Sequence, residues 1–200
     1  MTSQRKKPAT PPPADQMGRI ESGIPRLDFI LKGGFFRGGI YTLYGPPGAG
    51  KTIMANQLCF NHIGKTGLPC VYFTILAESH AKMVNHLSSL EFFDARAVGS
   101  KLKYIAGYQT LKDEGLKGLL RLLQATVMQE KPSILIIDGL ESVEQAAGQR
   151  LDAKEFLQQL QAFTAMTGTT TLLCAVETVG SARRDENAMV DGVIELSDQL

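Results

Sequence analysis

The chain has 200 residues and a mass of 21.7 kDa, a length at which one domain is the default and two small ones are feasible. Hydrophobic residues make up 44%, charged residues 20%, and the net charge is +1, which excludes a strongly basic nucleic-acid binder and an acidic disordered chain as readings of the whole. The longest apolar stretch, Leu68 to Ala77, is about half of what spans a bilayer, so no membrane partner is expected.

In chain order, Met1-Thr2-Ser3-Gln4-Arg5-Lys6-Lys7 leads into prolines instead of an apolar segment, and no secretory signal is legible. Residues 1–16 hold four of the nine prolines and no hydrophobic period, which predicts a disordered, Pro-rich basic tail. That tail carries a net charge of +2, leaving 18 basic and 19 acidic residues in a domain read as 17–200. The domain alternates strand-like and helix-like segments. Ile40–Tyr44, Cys70–Leu76, Lys101–Ala106, Ser133–Asp138, Thr169–Val176 and Gly192–Leu196 read as strands, several as continuous apolar runs buried on both faces. Helical spacing predicts helices over Lys51–Ile63, Ser79–Leu90 and Leu111–Gln129, the last punctuated by Pro132. A fourth precedes Thr169, with Asp152 and Glu155 as a capping box before Phe156, Leu157, Leu160 and Phe163. Such alternation predicts an α/β fold with a parallel, doubly wound sheet and helices on both faces. The cysteines Cys59, Cys70 and Cys174 are odd in number and each sits in an apolar context, as reduced core thiols of a cytosolic protein would.

The chemistry is carried by Gly45-Pro46-Pro47-Gly48-Ala49-Gly50-Lys51-Thr52, a match to G-x-x-x-x-G-K-[ST] between a predicted strand and a predicted helix. Glycines let backbone N–H groups turn inward around phosphate oxygens with no Cβ in the way. The following helix starts at the loop, so its positive end faces the anion through residues such as Ile53. Lys51 is expected to reach the β- and γ-phosphates and Thr52 to ligate Mg²⁺. Ile134-Leu135-Ile136-Ile137-Asp138 is an apolar strand ending in an acid, where Asp138 is the second expected holder of Mg²⁺. His62, His80 and His86 have no cysteine or acid at ligand spacing, and His80 and His86 are expected on an exposed helix face.

The lead-in Ser22-Gly23-Ile24-Pro25-Arg26-Leu27-Asp28, continued to Gly33-Gly34 and Gly38-Gly39, runs directly into the loop. It resembles that of RecA-like ATPases of the KaiC/RadA group, and Val190-Asp191-Gly192-Val193-Ile194-Glu195-Leu196 resembles a late strand of the same group. The resemblance implies a RecA-like P-loop core with a mostly parallel central sheet, ATP and Mg²⁺ as cofactors, and a site shared between copies of the chain. It also implies a glutamate after the second core strand that polarises the attacking water. Here the family's paired acids are replaced by Leu76-Ala77-Glu78-Ser79, so Glu78, one residue offset, is the candidate catalytic acid beside Lys51. Glu177 stands where the family often senses the γ-phosphate, Glu141 is a second-choice water-positioner, and Arg183 and Arg184 follow on a polar loop. The family's usual continuation, a basic hairpin reaching the neighbour's site, is not in this sequence, which leaves open a minimal member or a chain cut short after Leu200.

Four functions fit these residues: an ATPase coupled to self-assembly or to a protein client, a non-hydrolysing ATP-dependent switch, an accessory binding single-stranded DNA, and a small-molecule kinase. The third is disfavoured by Glu141 and Glu144 in the expected loop Gly139–Arg150, and the fourth by the lead-in.

Overall fold

All six predicted strands lie in one sheet. A computed structural model describes residues 18–76, 80–148, 150–176 and 189–197; the tail, Glu78, Glu177, Arg183 and Arg184 lie outside them. In chain order the elements are β1 (Arg19–Ile20), α1 (Pro25–Ile30), β2 (Phe35–Phe36), β3 (Ile40–Gly45), α2 (Lys51–Thr66), β4 (Cys70–Thr74), α3 (His80–Leu87) and β5 (Leu102–Ala106). They continue as α4 (Tyr108–Glu130), β6 (Ile134–Asp138), α5 (Leu140–Ala146), α6 (Arg150–Thr167), β7 (Thr170–Val176) and β8 (Gly192–Glu195). The six-stranded sheet has the order β5-β4-β6-β7-β3-β8, and every pairing in it is parallel.

Burial on both faces explains the continuous apolar runs. Along β4, Val71 and Phe73 face a core built with Leu119, Leu123 and Val127 of α4 and Phe156, Leu157 and Leu160 of α6. The alternate residues Cys70 and Tyr72 face a second core with Ala55, Leu58 and Cys59 of α2. The strands β6 and β7 divide in the same way, Leu135, Ile137 and Leu173 to the first core and Ile134, Ile136, Leu172 and Cys174 to the second.

Three features depart from the sequence reading. The segment Gly139–Arg150, expected as a loop, contains α5, whose Leu140 and Val143 are buried; Gly139 makes the turn out of β6 at φ 101, a conformation a side chain would strain. Asp152 is not an N-cap, because α6 has begun by Arg150 and places it in the first turn, where a carboxylate still meets the positive helix end. Helix α4 starts at Tyr108, ahead of the predicted Leu111, and is kinked at Gly115, whose φ of 66 and ψ of −165 are non-helical.

The lead-in gains its shape from one carboxylate. Asp28 accepts from the Ser22 amide at 2.8 Å, the Ser22 hydroxyl at 2.7 Å and the Gly23 amide at 3.0 Å. Asn61 of α2 donates to the Ser22 carbonyl at 3.2 Å, so this turn is seated on the helix that follows the glycine-rich loop. At the other end, Asp191 accepts from the Ile40 amide at 2.8 Å and fixes β8 beside β3.

Candidate functional site

The loop Gly45–Thr52 leaves the C-terminal end of β3 and enters α2, the crevice where parallel α/β sheets bind ligands. Gly48 and Gly50 have φ of 85 and 87, and a Cβ built on either would meet nothing within 4 Å. The loop therefore turns through left-handed glycines around open space, with the N-terminus of α2 behind it. Gly45 is tight for another reason: a Cβ there would come 2.6 Å from the Leu196 carbonyl after β8. Pro46, Pro47 and Ala49 complete the turn, closed by the Ala49 amide donating to the Pro46 carbonyl at 3.2 Å. Lys51 donates from Nζ to the Gly45 carbonyl at 2.7 Å and the Pro46 carbonyl at 2.9 Å, folded over the loop it belongs to.

Thr52 and Asp138, 86 residues apart, are brought together: the Thr52 hydroxyl donates to Asp138 Oδ2 at 3.0 Å. The same oxygen accepts from the Tyr72 hydroxyl at 2.6 Å. Tyr72 is fully buried on β4 and its ring lies 5.5 Å from that of Tyr104 on β5. The Tyr104 hydroxyl donates to Asn56 Oδ1 at 2.7 Å, and Asn56 donates to the Thr52 carbonyl at 2.8 Å. Two tyrosines and an asparagine thus hold Thr52 and Asp138 in place from behind. Burial foremost, and then the Asp138 charge, pushes the Tyr72 phenol well up, so Tyr72 remains a donor. Burial also drives the Cys174 thiol well up, with Asp138 adding to the shift and Lys51 opposing it. The three cysteines are free and buried.

In front of the loop lies a cleft of 590 Å³, with Gly48, Gly50, Lys51, Thr52 and Ile53 on one side and Lys82, Met83 and His86 of α3 on the other. His80, expected on an exposed face, is half-buried instead: its Nε2 is 2.8 Å from Thr74 Oγ1, its ring lies tilted 5.8 Å from that of Tyr104, and burial lowers its pKa. The predicted loop residues, Thr52 and Asp138 are therefore assembled in one place. Tyr72, Asn56 and Tyr104 were not anticipated: each reads as an ordinary core or helix residue, and only strand register brings it to the site.

A hydroxyl and a carboxylate side by side are hard oxygen donors of the kind Mg²⁺ takes, together with waters and phosphate oxygens. Among the described residues no group of three His, Cys, Asp or Glu side chains could hold a metal by itself. The donors fit a magnesium ion that arrives with a nucleotide.

Parallel sheet, loop geometry and strand-end acid define a RecA-type P-loop domain. The model of the family "ATPase: KaiC" matches residues 20–200. The chain belongs to the KaiC ATPase family. It is 30% identical over 137 residues to the circadian clock oscillator protein KaiC of Prochlorococcus marinus (strain MIT 9313), covering 68% of this chain and 26% of that protein. The KaiC of Parathermosynechococcus lividus is 31% identical over 139 residues, covering 66% and 24%. The chain thus spans about a quarter of the length of these relatives. A crystal structure of a KaiC-like protein from Pyrococcus horikoshii OT3 superposes with a TM-score of 0.74, covering 90% of this chain and 80% of that one at 24% identity, a likeness of fold. Among the described residues no helix is long and apolar enough to cross a membrane.

Proposed function

We propose that this chain binds ATP with Mg²⁺ in the Gly45–Thr52 loop, hydrolyses it slowly, and couples nucleotide state to assembly with further copies of itself or to regulation of a protein client in the cytosol. The observation that carries the reading is the open cradle at Gly48 and Gly50, set at the head of α2 with Thr52 and Asp138 joined beside it. The loop amides and the helix end bind the phosphates. Lys51 exchanges its two loop carbonyls for β- and γ-phosphate oxygens, replacing neutral acceptors of its ammonium by anionic ones. Thr52 and Asp138 hold Mg²⁺, which when bound neutralises charge on the transferred phosphoryl group. Glu78 is assigned to orienting the attacking water. The three free thiols fit a reducing compartment.

A non-hydrolysing switch is favoured by one observation. The side chain immediately after Ile75 is the apolar Leu76, packed so closely over Gly139 that a Cβ there would meet it at 2.9 Å. The strand end itself therefore supplies no acid, and turnover rests on Glu78.

The test is ATP binding and turnover with and without Mg²⁺, beside size-exclusion chromatography, for wild type and Lys51→Ala. We expect wild type to bind and hydrolyse ATP and Lys51→Ala to do neither. A mass that rises with ATP supports assembly. Binding without turnover establishes the switch, and absence of binding overturns the assignment of the loop.

A further inference from the structure

Glu141 is the second residue of α5, three residues beyond Asp138. One of its carboxylate oxygens, Oε2, is buried and has no hydrogen-bond partner. A buried polar atom left unpaired is costly, and more so when it carries charge. Such an atom in a folded protein calls for a ligand, a water or an ion to complete it.

Its surroundings indicate which. Asp138, Lys51 and Glu141 are the charged groups that act on the buried thiol of Cys174. Cys174 is the β7 residue paired in register with Asp138, and the Gly139 amide donates to the Cys174 carbonyl at 3.3 Å. Glu141, near the start of the helix that leaves β6 and packs against β7, therefore lies at the C-terminal ends of these two strands. Asp138 Oδ2 already accepts from Thr52 and Tyr72, whereas Glu141 Oε2 accepts from nothing. Among the described residues no three His, Cys, Asp or Glu side chains could hold a metal by themselves, so an ion here is completed by phosphate oxygens and waters. Mg²⁺ bound with a nucleotide keeps several waters, and those waters are donors.

We infer that Glu141 is a positioning residue for the nucleotide's magnesium, accepting through Oε2 a hydrogen bond from one of its waters. This rests on the reading of the loop as a Mg·ATP site. Oε2 has no partner among the protein's own groups, and the loaded site supplies one.

The test uses the full chain, with Glu141→Gln, which keeps the volume, and Glu141→Leu, which removes the polar atoms. Calorimetric titration with ATP across a Mg²⁺ series, and in EDTA, is run beside melting of the apo protein. We expect the Mg²⁺ concentration for half-maximal tightening to rise about 10-fold or more in both variants, the usual effect of losing an outer partner of a metal. Affinity in EDTA stays within about twofold of wild type. The apo melting temperature of Glu141→Leu rises by about 2–4 °C, because the cost of the unpaired oxygen exceeds what a first-turn carboxylate gains from the helix end. An unchanged Mg²⁺ dependence overturns the inference while leaving the ATP site standing. A lower apo melting temperature with equal loss of ATP affinity in Mg²⁺ and EDTA shows a structural role and also overturns it. If wild type binds no ATP, the assignment of the loop fails and this inference with it. Should Glu141→Leu fail to fold, Glu141→Gln alone decides the Mg²⁺ comparison.

Discussion

Asp138 Oδ2 holds two hydroxyl donors, Thr52 in front and Tyr72 behind. The two bonds differ in what they do. Thr52 lies at the loop, on the cleft side, whereas Tyr72 is fully buried and fixes the carboxylate from the core side. A hydrogen bond to a charged group contributes about 1.5–3 kcal/mol. Tyr72→Phe keeps the ring against Tyr104 and Cys174's layer of the core but removes that donor, so apo stability is expected to fall by about 2 kcal/mol. Chemical denaturation reads this directly. A loss below about 0.5 kcal/mol would show that Asp138 recruits another donor and that the tyrosine is packing alone.

At the scale of elements, what the sequence disclosed follows from how local each signal is. The glycine-rich loop was legible residue by residue, because its signal is local: the left-handed turns at Gly48 and Gly50 and the adjacent Lys51 and Thr52. The strands ending at Thr74, Asp138 and Val176 were legible because both of their faces are buried, which leaves an uninterrupted apolar run. The two-residue strands β1 and β2 were not, since two residues carry no period, and α5 was missed because seven residues with Glu141 and Glu144 among them read as a polar loop. Tyr72, Asn56 and Tyr104 reach the site only through sheet register and helix docking, which no spacing along the chain reveals. The lead-in shows the same distinction within one glycine pair. Both Gly33 and Gly34 have positive φ, 104 and 109, but a Cβ on Gly33 would lie 3.5 Å from the Arg19 side chain, and one on Gly34 only 2.2 Å from the Ile20 carbonyl oxygen. Gly33→Ala meets backbone strain alone, about 1–2 kcal/mol. Gly34→Ala must in addition push apart β1 and the β2 turn, and is expected to cost at least about 3 kcal/mol. Denaturation of the two variants side by side checks this. Equal losses would mean that the β1–β2 ribbon yields without consequence for the sheet.

For the whole molecule, the two cores on either side of the sheet make stability depend on a few groups that are buried without full satisfaction. His62 of α2 is 4% exposed, and its Nε2 is buried with no partner. Burial foremost, and then the Arg37 charge, lowers its pKa below the ordinary 6.5. His80 is lowered from the same value by burial. The unfolded chain therefore binds more protons than the folded one once the pH drops below about 6.5. Both imidazoles favour the folded state fully above that value, and their contribution is lost as the pH falls from about 6.5 through their lower folded pKa values. Paired carboxylates lose their contribution further down, nearer pH 4, so melting between about pH 7.5 and 5.5 isolates the histidines. We expect the melting temperature of wild type to decline across that interval. In His62→Leu the decline should be shallower, because the unpaired Nε2 and its proton are both removed while the apolar contact with the second core is kept. An identical slope in wild type and variant would assign the acid sensitivity to His80, against Thr74 at the end of β4, instead of to the helix that follows the loop.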